Sequence, residues 1–160
     1  MFKYTLAIIK RKDEVLMLNR NKSPWMGNWN GVGGKIEQME DPLTSVIREI
    51  KEETNITVNN NQISYKGVVT WNLFNNERSG LHLYLVNLSD DFNYETPLKT
   101  NEGILDWKSI EWVSSFENTG LSANIPYFIK DVLYDKQPYE HYCMFEDNRL
   151  VSVKRKEIVK

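Results

Sequence analysis

The sequence predicts an α/β protein: β-prone runs with alternating apolar residues recur along the chain, and two segments of helical period lie between them. A third observation, the capped and strongly amphipathic segment 42–54, shows that a helix packs on whatever sheet the strands build. At 160 residues the chain has the length of one domain, so a single domain over 1–160 is expected.

Residues 3–10 and 15–19 are β-prone runs joined by the polar turn Arg11-Lys12-Asp13-Glu14, which reads as a hairpin. A loop over 20–28 carries Pro24, Trp25 and Gly27, and the Gly-rich stretch 29–36 leads to Asp41-Pro42. Asp41 suits a helix N-cap and Pro42 the first helical position, so a helix is expected over 42–54. It stops at Asn55, a residue that tolerates the left-handed conformation past a helix end. After a loop at 59–61, residues 64–72 and 81–88 read as paired strands around a turn at 75–80. A polar connection runs from 89 to about 103. Residues 110–113 read as a short strand, 125–134 as a second helix, and 141–145 with 150–153 as a closing hairpin over Glu146-Asp147-Asn148.

A net charge of −2 provides no broad basic footprint for a nucleic-acid polymer, and no Lys/Arg run suggests an anionic membrane. No segment approaches the ~20 apolar residues of a membrane span. The single cysteine, Cys143, cannot form an internal disulfide and reads as a buried small residue in a strand. A cytoplasmic protein acting on a small molecule is expected.

Within the first helix Glu49, Glu52 and Glu53 stand at i, i+3 and i+4 and fall on one side. Leu43, Val46, Ile47 and Ile50 form a different stripe that anchors the helix. Carboxylates gathered on an anchored helix repel one another unless a cation sits among them, and hard oxygen ligands suit Mg²⁺, with Mn²⁺ as the alternative. The bland alternative is a solvated acidic face neutralised by Arg48 and Lys51. Upstream, Gly33 and Gly34 let backbone approach a ligand closely, and Lys35 adds a positive charge for a phosphate oxygen.

Gly34, five residues, Glu40, seven residues, Arg48-Glu49-Ile50, one residue, Glu52-Glu53, one residue, then Asn55-Ile56 resembles the Nudix box, G-x5-E-x7-R-E-U-x-E-E-x-G-U. Asn55 replaces the second glycine of that pattern. The resemblance implies an α/β/α sandwich with a mixed β-sheet and hydrolysis of a nucleoside diphosphate linked to another group. It implies that Glu49 and Glu53 ligate metal, that Glu52 is a further ligand or orients water, and that the Gly33 carbonyl is an additional ligand. Arg48 and Glu40 would hold the catalytic carboxylates in place. Which glutamate is the general base stays open, since coupled carboxylates share a titration.

Trp29-Asn30-Gly31-Val32-Gly33-Gly34-Lys35 is similar to the WNGxGGK segment of the MutT-related branch, the oxidised purine nucleoside triphosphatases acting on 8-oxo-dGTP. That resemblance implies that Asn30 reads the purine edge, although a turn asparagine capping local backbone is the simpler alternative. It implies that Glu102, in Asn101-Glu102-Gly103, supplies one more carboxylate. Arg20, Lys35 and Asn124 join Asn30 as expected substrate-binding residues. Mammalian members of the branch read the base with adjacent aspartates, and their counterparts here are Ala123 and Asn124. Trp25, Trp71, Phe74, Phe116 and Tyr127 are candidates for stacking on a base. The implied partner is a nucleotide, hydrolysed to the monophosphate and pyrophosphate by a monomer or homodimer. Other diphosphates (ADP-ribose, a dinucleotide, an RNA 5′ end) form a second reading, and a non-catalytic nucleotide sensor a third.

Overall fold

A computed structural model describes residues 2–72 and 78–158. Its elements are β1 (Tyr4–Arg11), β2 (Glu14–Arg20), β3 (Trp29–Asn30), β4 (Val32–Lys35), α1 (Pro42–Thr54), β5 (Ile63–Asn72), β6 (Arg78–Leu88), β7 (Leu98–Lys99), β8 (Gly103–Ser109), α2 (Ile110–Val113), α3 (Ile125–Tyr134), β9 (Tyr139–Glu146) and β10 (Arg149–Glu157). The strands form one mixed sheet in the order β10-β9-β5-β6-β1-β2-β8-β7, with β3 on β2 and β4 on β1. β1 runs parallel to β6 and β5 parallel to β9, while the other pairs are antiparallel. No helix among the described residues is long and apolar enough to cross a membrane.

Alternation along β1 shows how the layers arise, because successive side chains of a strand point to opposite faces. Leu6 and Ile8 join α3's Ile125, Phe128, Ile129 and Val132 in one apolar cluster. Ala7 and Ile9 join α1's Val46 and Ile50 in a second cluster across the sheet. The result is the α/β/α sandwich with a mixed sheet that the sequence implied. Cys143, in β9, is fully buried as expected.

Residues 110–113, expected as a strand, are the short helix α2. Ser109 Oγ accepts from Trp112 N at 3.1 Å and so caps it, while Ser114 Oγ donates to the Ile110 carbonyl at 2.6 Å. In a run this short, apolar residues at i and i+3 fit a helix turn as well as a strand, and the serine cap decides. The polar connection also contains β7, and β8 follows it along the full length of β2. Of the turn expected at 75–80, residues 78–80 are strand and the rest lie outside the described residues, as does Phe74.

Candidate active site

The site is built on the C-terminal half of α1 and the fork of β1. Asp41 Oδ1 accepts from Thr44 N at 2.8 Å, and Pro42 occupies the first turn, so the helix begins where the sequence sets it. At the other end Asn55 is left-handed (φ 63, ψ 15) and its N–H donates to the Lys51 carbonyl at 2.9 Å. With Val46 and Ile50 fully buried, the neighbouring face that carries Glu49 and Glu53 is turned into a cleft at the sheet's fork.

That fork forms because β1 changes partner along its length. Tyr4 to Ala7 pair with β4, whereas Ile9 to Arg11 pair with β2. The chain crosses the gap at Gly31, and two glycines then allow close approach. A Cβ on Gly33 would lie 2.0 Å from the Thr5 carbonyl oxygen, and one on Gly34 would lie 2.5 Å from the carboxyl carbon of Glu49. Gly33 therefore serves strand pairing, and Gly34 is the cradle in which the Glu49 carboxylate rests.

Arg48 organises the acids around it. Its Nε and Nη2 grip both Glu40 oxygens at 2.8 and 2.9 Å, Nη1 reaches Glu49 at 3.0 Å and Glu52 at 3.2 Å, and Nη2 donates to the Lys35 carbonyl at 3.2 Å. The bidentate guanidinium holds the Glu40 carboxyl well below its ordinary range, at about 2. Glu53 is the opposite case. Burial, together with the charge of Glu49, a side-chain hydrogen bond shared with it and the charge of Glu102, pushes its carboxyl up to about 9, with Arg20 partly opposing the rise, and its Oε2 is buried without a hydrogen-bond partner among the described residues.

These observations fit a divalent cation. A buried, unpaired carboxylate oxygen beside two further acids is an electrostatic debt that a hard cation relieves. Among the described residues no group of three or more acids, histidines or cysteines is placed, as the side chains stand, to hold a metal ion. Glu49 and Glu52 are instead turned onto Arg48, and that guanidinium stabilises them as they stand.

The expected residues sort into three places. Gly33, Lys35, Glu49, Glu53, Glu102, Arg20 and Asn30 line one cleft of about 520 Å³. Glu52 is more exposed and opens on an adjoining groove between α1 and residues 98–102, which Glu49, Glu53 and Glu102 also line. Asn124 lines an apolar chamber of about 300 Å³ with Asn30, Trp25, Trp71, Phe128 and Phe145. Residues 121–124 reach Asn30 because Leu121 bridges Trp29 and Asn28 Nδ2 donates to the Leu121 carbonyl at 3.1 Å. Asn30 Oδ1 accepts from Gly31 N at 2.8 Å, so the residue does cap local backbone while also lining the chamber. Of the stacking candidates, Trp25 and Trp71 line the chamber. Phe116 and Tyr127 pack against each other instead, with centroids 4.9 Å apart.

Residues 3–135 match the family profile described as NUDIX domain. The chain belongs to the Nudix family. Like its relatives named as hydrolases, it is a Nudix hydrolase of the MutT type. It is 31% identical over 111 residues to the Bacillus subtilis (strain 168) protein named Uncharacterized Nudix hydrolase YvcI, a match spanning 66% of this chain and 65% of that protein. It is 23% identical over 159 residues to the mouse Oxidized purine nucleoside triphosphate hydrolase, covering 97% of this chain and 94% of the relative. Among solved structures, a MutT protein from Bacillus halodurans superposes with a TM-score of 0.77 at 27% identity, covering 97% of each chain.

Several walls of this Nudix hydrolase's cleft were not singled out from the sequence. Tyr4 and Thr5 line it from the start of β1, opposite Lys35 and Gly34, and the Thr5 hydroxyl is buried without a partner among the described residues. A threonine at the head of the apolar run Leu6-Ala7-Ile8-Ile9 was the available signal. Leu81 and Phe145 reach the chamber only through the pairing of β5 with β6 and β9, which no local pattern announces.

Proposed function

We propose that this Nudix hydrolase cleaves a purine nucleoside triphosphate, an oxidised purine such as 8-oxo-dGTP being the preferred substrate, to the monophosphate and pyrophosphate. The observation that carries the reading is the continuity of the cavity. The carboxylate cleft and the aromatic, amide-bearing chamber share Leu6, Pro24, Trp25, Asn30, Trp71 and Leu81, so one ligand can place a phosphate chain in the first and a flat base in the second. The mouse relative's name supports the same substrate class.

In this reading Glu49, Glu53 and Glu102, with the Gly33 carbonyl, hold Mg²⁺, or Mn²⁺ in its place. Such an ion, when bound by these residues, would neutralise charge along the phosphate chain and lower the pKa of a bound water. Glu52 orients that water from the adjoining groove. Arg48 and Glu40 keep Glu49 and Glu52 from swinging away, and Lys35 and Arg20 meet phosphate oxygens from the rim. Trp25 and Trp71 stack on the base, a contact worth about 1–3 kcal/mol. Asn30 and Asn124 bond to its edge. The single buried cysteine suits a reducing, cytoplasmic setting.

The test is a turnover screen in Mg²⁺ over 8-oxo-dGTP, 2-hydroxy-dATP, dGTP, a pyrimidine triphosphate, ADP-ribose and dinucleotides, with products identified. Glu53→Gln keeps side-chain size and removes the charge, so it is expected to stay folded and lose nearly all turnover. Turnover near the wild-type rate would sink the site assignment. Asn30→Ala is expected to lower kcat/KM for the preferred purine about ten-fold, as loss of a pairing worth ~1.4 kcal/mol implies, and to affect poor substrates less. Preference for ADP-ribose in the screen would move the function to another diphosphate.

A further inference from the structure

Glu102 differs from Glu49 and Glu53 in what holds it. Those two stand on α1, which is anchored by buried Val46 and Ile50, whereas Glu102 stands at the tip of the β7–β8 hairpin on the outer edge of the sheet. Leu98, Lys99, Asn101 and Ile104 beside it are all exposed, so apolar burial does little to pin the tip. Yet Glu102 lines both the cleft and the adjoining groove, each time beside Glu49 and Glu53. Hydrogen bonds have to supply that placement.

Inside the tip, Thr100 Oγ1 accepts from Glu102 N at 3.2 Å and donates to the Gly103 carbonyl at 3.1 Å, which shapes the turn. The β2–β8 ladder ends at the pair Arg20 and Gly103, and Glu102 lies one residue beyond it. Gly103 has φ 145, and a Cβ there would lie 1.8 Å from the Asn19 carbonyl oxygen, so only glycine lets the two segments meet so closely. Past the end of the ladder the grip is continued by Asn21. Its backbone N donates to the Glu102 carbonyl and its Nδ2 to the Asn101 carbonyl, each at 3.1 Å. Asn21 is a firm anchor because the loop it belongs to closes on itself: Gly27 N donates to the Arg20 carbonyl at 2.7 Å, Arg20 Nε to the Pro24 carbonyl at 2.9 Å and Asn19 Nδ2 to the Gly27 carbonyl at 3.0 Å.

We propose that Asn21 is a positioning residue for the metal site: by gripping two consecutive carbonyls of the hairpin tip, it keeps Glu102 beside Glu49 and Glu53. The inference rests on the reading of Glu102 as a metal-holding residue and adds to it a residue outside the carboxylate set. Asn21 acts through Glu102 alone. Without its side chain the edge hairpin opens locally more often, and the cost of bringing Glu102 back is subtracted from the affinity for the cation.

The experiment titrates Mn²⁺ into nucleotide-free protein and reads free Mn²⁺ by electron paramagnetic resonance, so no turnover enters. It compares wild type, Asn21→Leu, Asn21→Ala, Glu102→Gln and the double variant carrying Asn21→Leu and Glu102→Gln. Leu nearly keeps the volume of Asn and removes its donor, and Ala removes the donor without adding an apolar side chain to the rim. Both are expected to bind Mn²⁺ about five-fold more weakly, as loss of one net hydrogen bond implies, with the melting temperature nearly unchanged. In the Glu102→Gln background Asn21→Leu is expected to weaken binding no further, because its effect passes through Glu102. Unchanged affinity in both Asn21 variants, or the same additional loss in the Glu102→Gln background, overturns the role of Asn21 and leaves the metal site standing. Glu102→Gln binding Mn²⁺ as tightly as wild type removes Glu102 from the metal site and this inference with it.

Discussion

At the scale of single residues, neighbouring glycines fail in different ways. A Cβ on Gly34 meets only the end of the Glu49 side chain, at 2.5 Å from its carboxyl carbon, and that chain can swing aside. Gly34→Ala should therefore keep its melting temperature within a few degrees while activity falls roughly ten-fold or more, because Glu49 is displaced. A Cβ on Gly33 meets the Thr5 carbonyl oxygen at 2.0 Å, and backbone cannot yield without opening the β1–β4 pairing. Gly33→Ala should cost stability on the order of 3 kcal/mol, read by denaturant titration. Equal behaviour of the two variants would show that the close approaches are not as described. Asn55 is the counter-example to glycine dependence. It adopts φ 63 with a side chain, which explains how the box tolerates its loss of glycine.

At the scale of elements, α1 and the segment before it act as one unit, because Arg48 spans from the helix to Glu40 and to the Lys35 carbonyl. Lysine carries the same charge but cannot form the two-pronged contact with Glu40. Arg48→Lys should therefore need more Mg²⁺ for half-maximal activity, by roughly 10- to 100-fold, with little change in melting temperature. An unchanged Mg²⁺ dependence would remove Arg48 from the positioning of the acids. Glu40, depressed to about 2, contributes its pairing above the unfolded carboxyl value and loses it only as pH falls through the folded one. The clamp thus persists through mild acid. The helix, its ends and the spacing of its glutamates were legible in the sequence, since Asp41, Pro42, the glutamate spacing and Asn55 are local signals, whereas the bond from Arg48 to the Lys35 carbonyl was not. Residues 110–113 were not legible, because four residues carry too little periodicity to separate a helix turn from a strand.

At the scale of the whole molecule, the two apolar clusters on either side of the sheet make stability sensitive to what is buried with them. His141 is 1% exposed, packs beside Phe128 and Tyr139, and has neither ring nitrogen paired among the described residues. Burial lowers its pKa from 6.5 to about 4, with Asp131 opposing and Arg155 reinforcing the shift. The unfolded chain takes up a proton near 6.5 that the folded chain refuses until about 4, so stability is lost as pH falls through that window. The loss attributable to this group is on the order of 3 kcal/mol, and His141→Phe should flatten that part of the stability profile. An unchanged slope between pH 6.5 and 4 in the variant would place the acid sensitivity elsewhere. The sequence by itself determined the α/β class, the capped helix with its acidic face, and the glycine cradle before it, because these are written in spacings of a few residues. Only the tertiary structure decided which distant segments close the cavity. The parallel pairing of β5 with β9 brings Trp71 beside Phe145, and the Leu121–Trp29 bridge brings Asn124 to Asn30. Those contacts arise because burying both faces of one mixed sheet fixes the strand order, and strand order is a property of the packed whole that no local period contains.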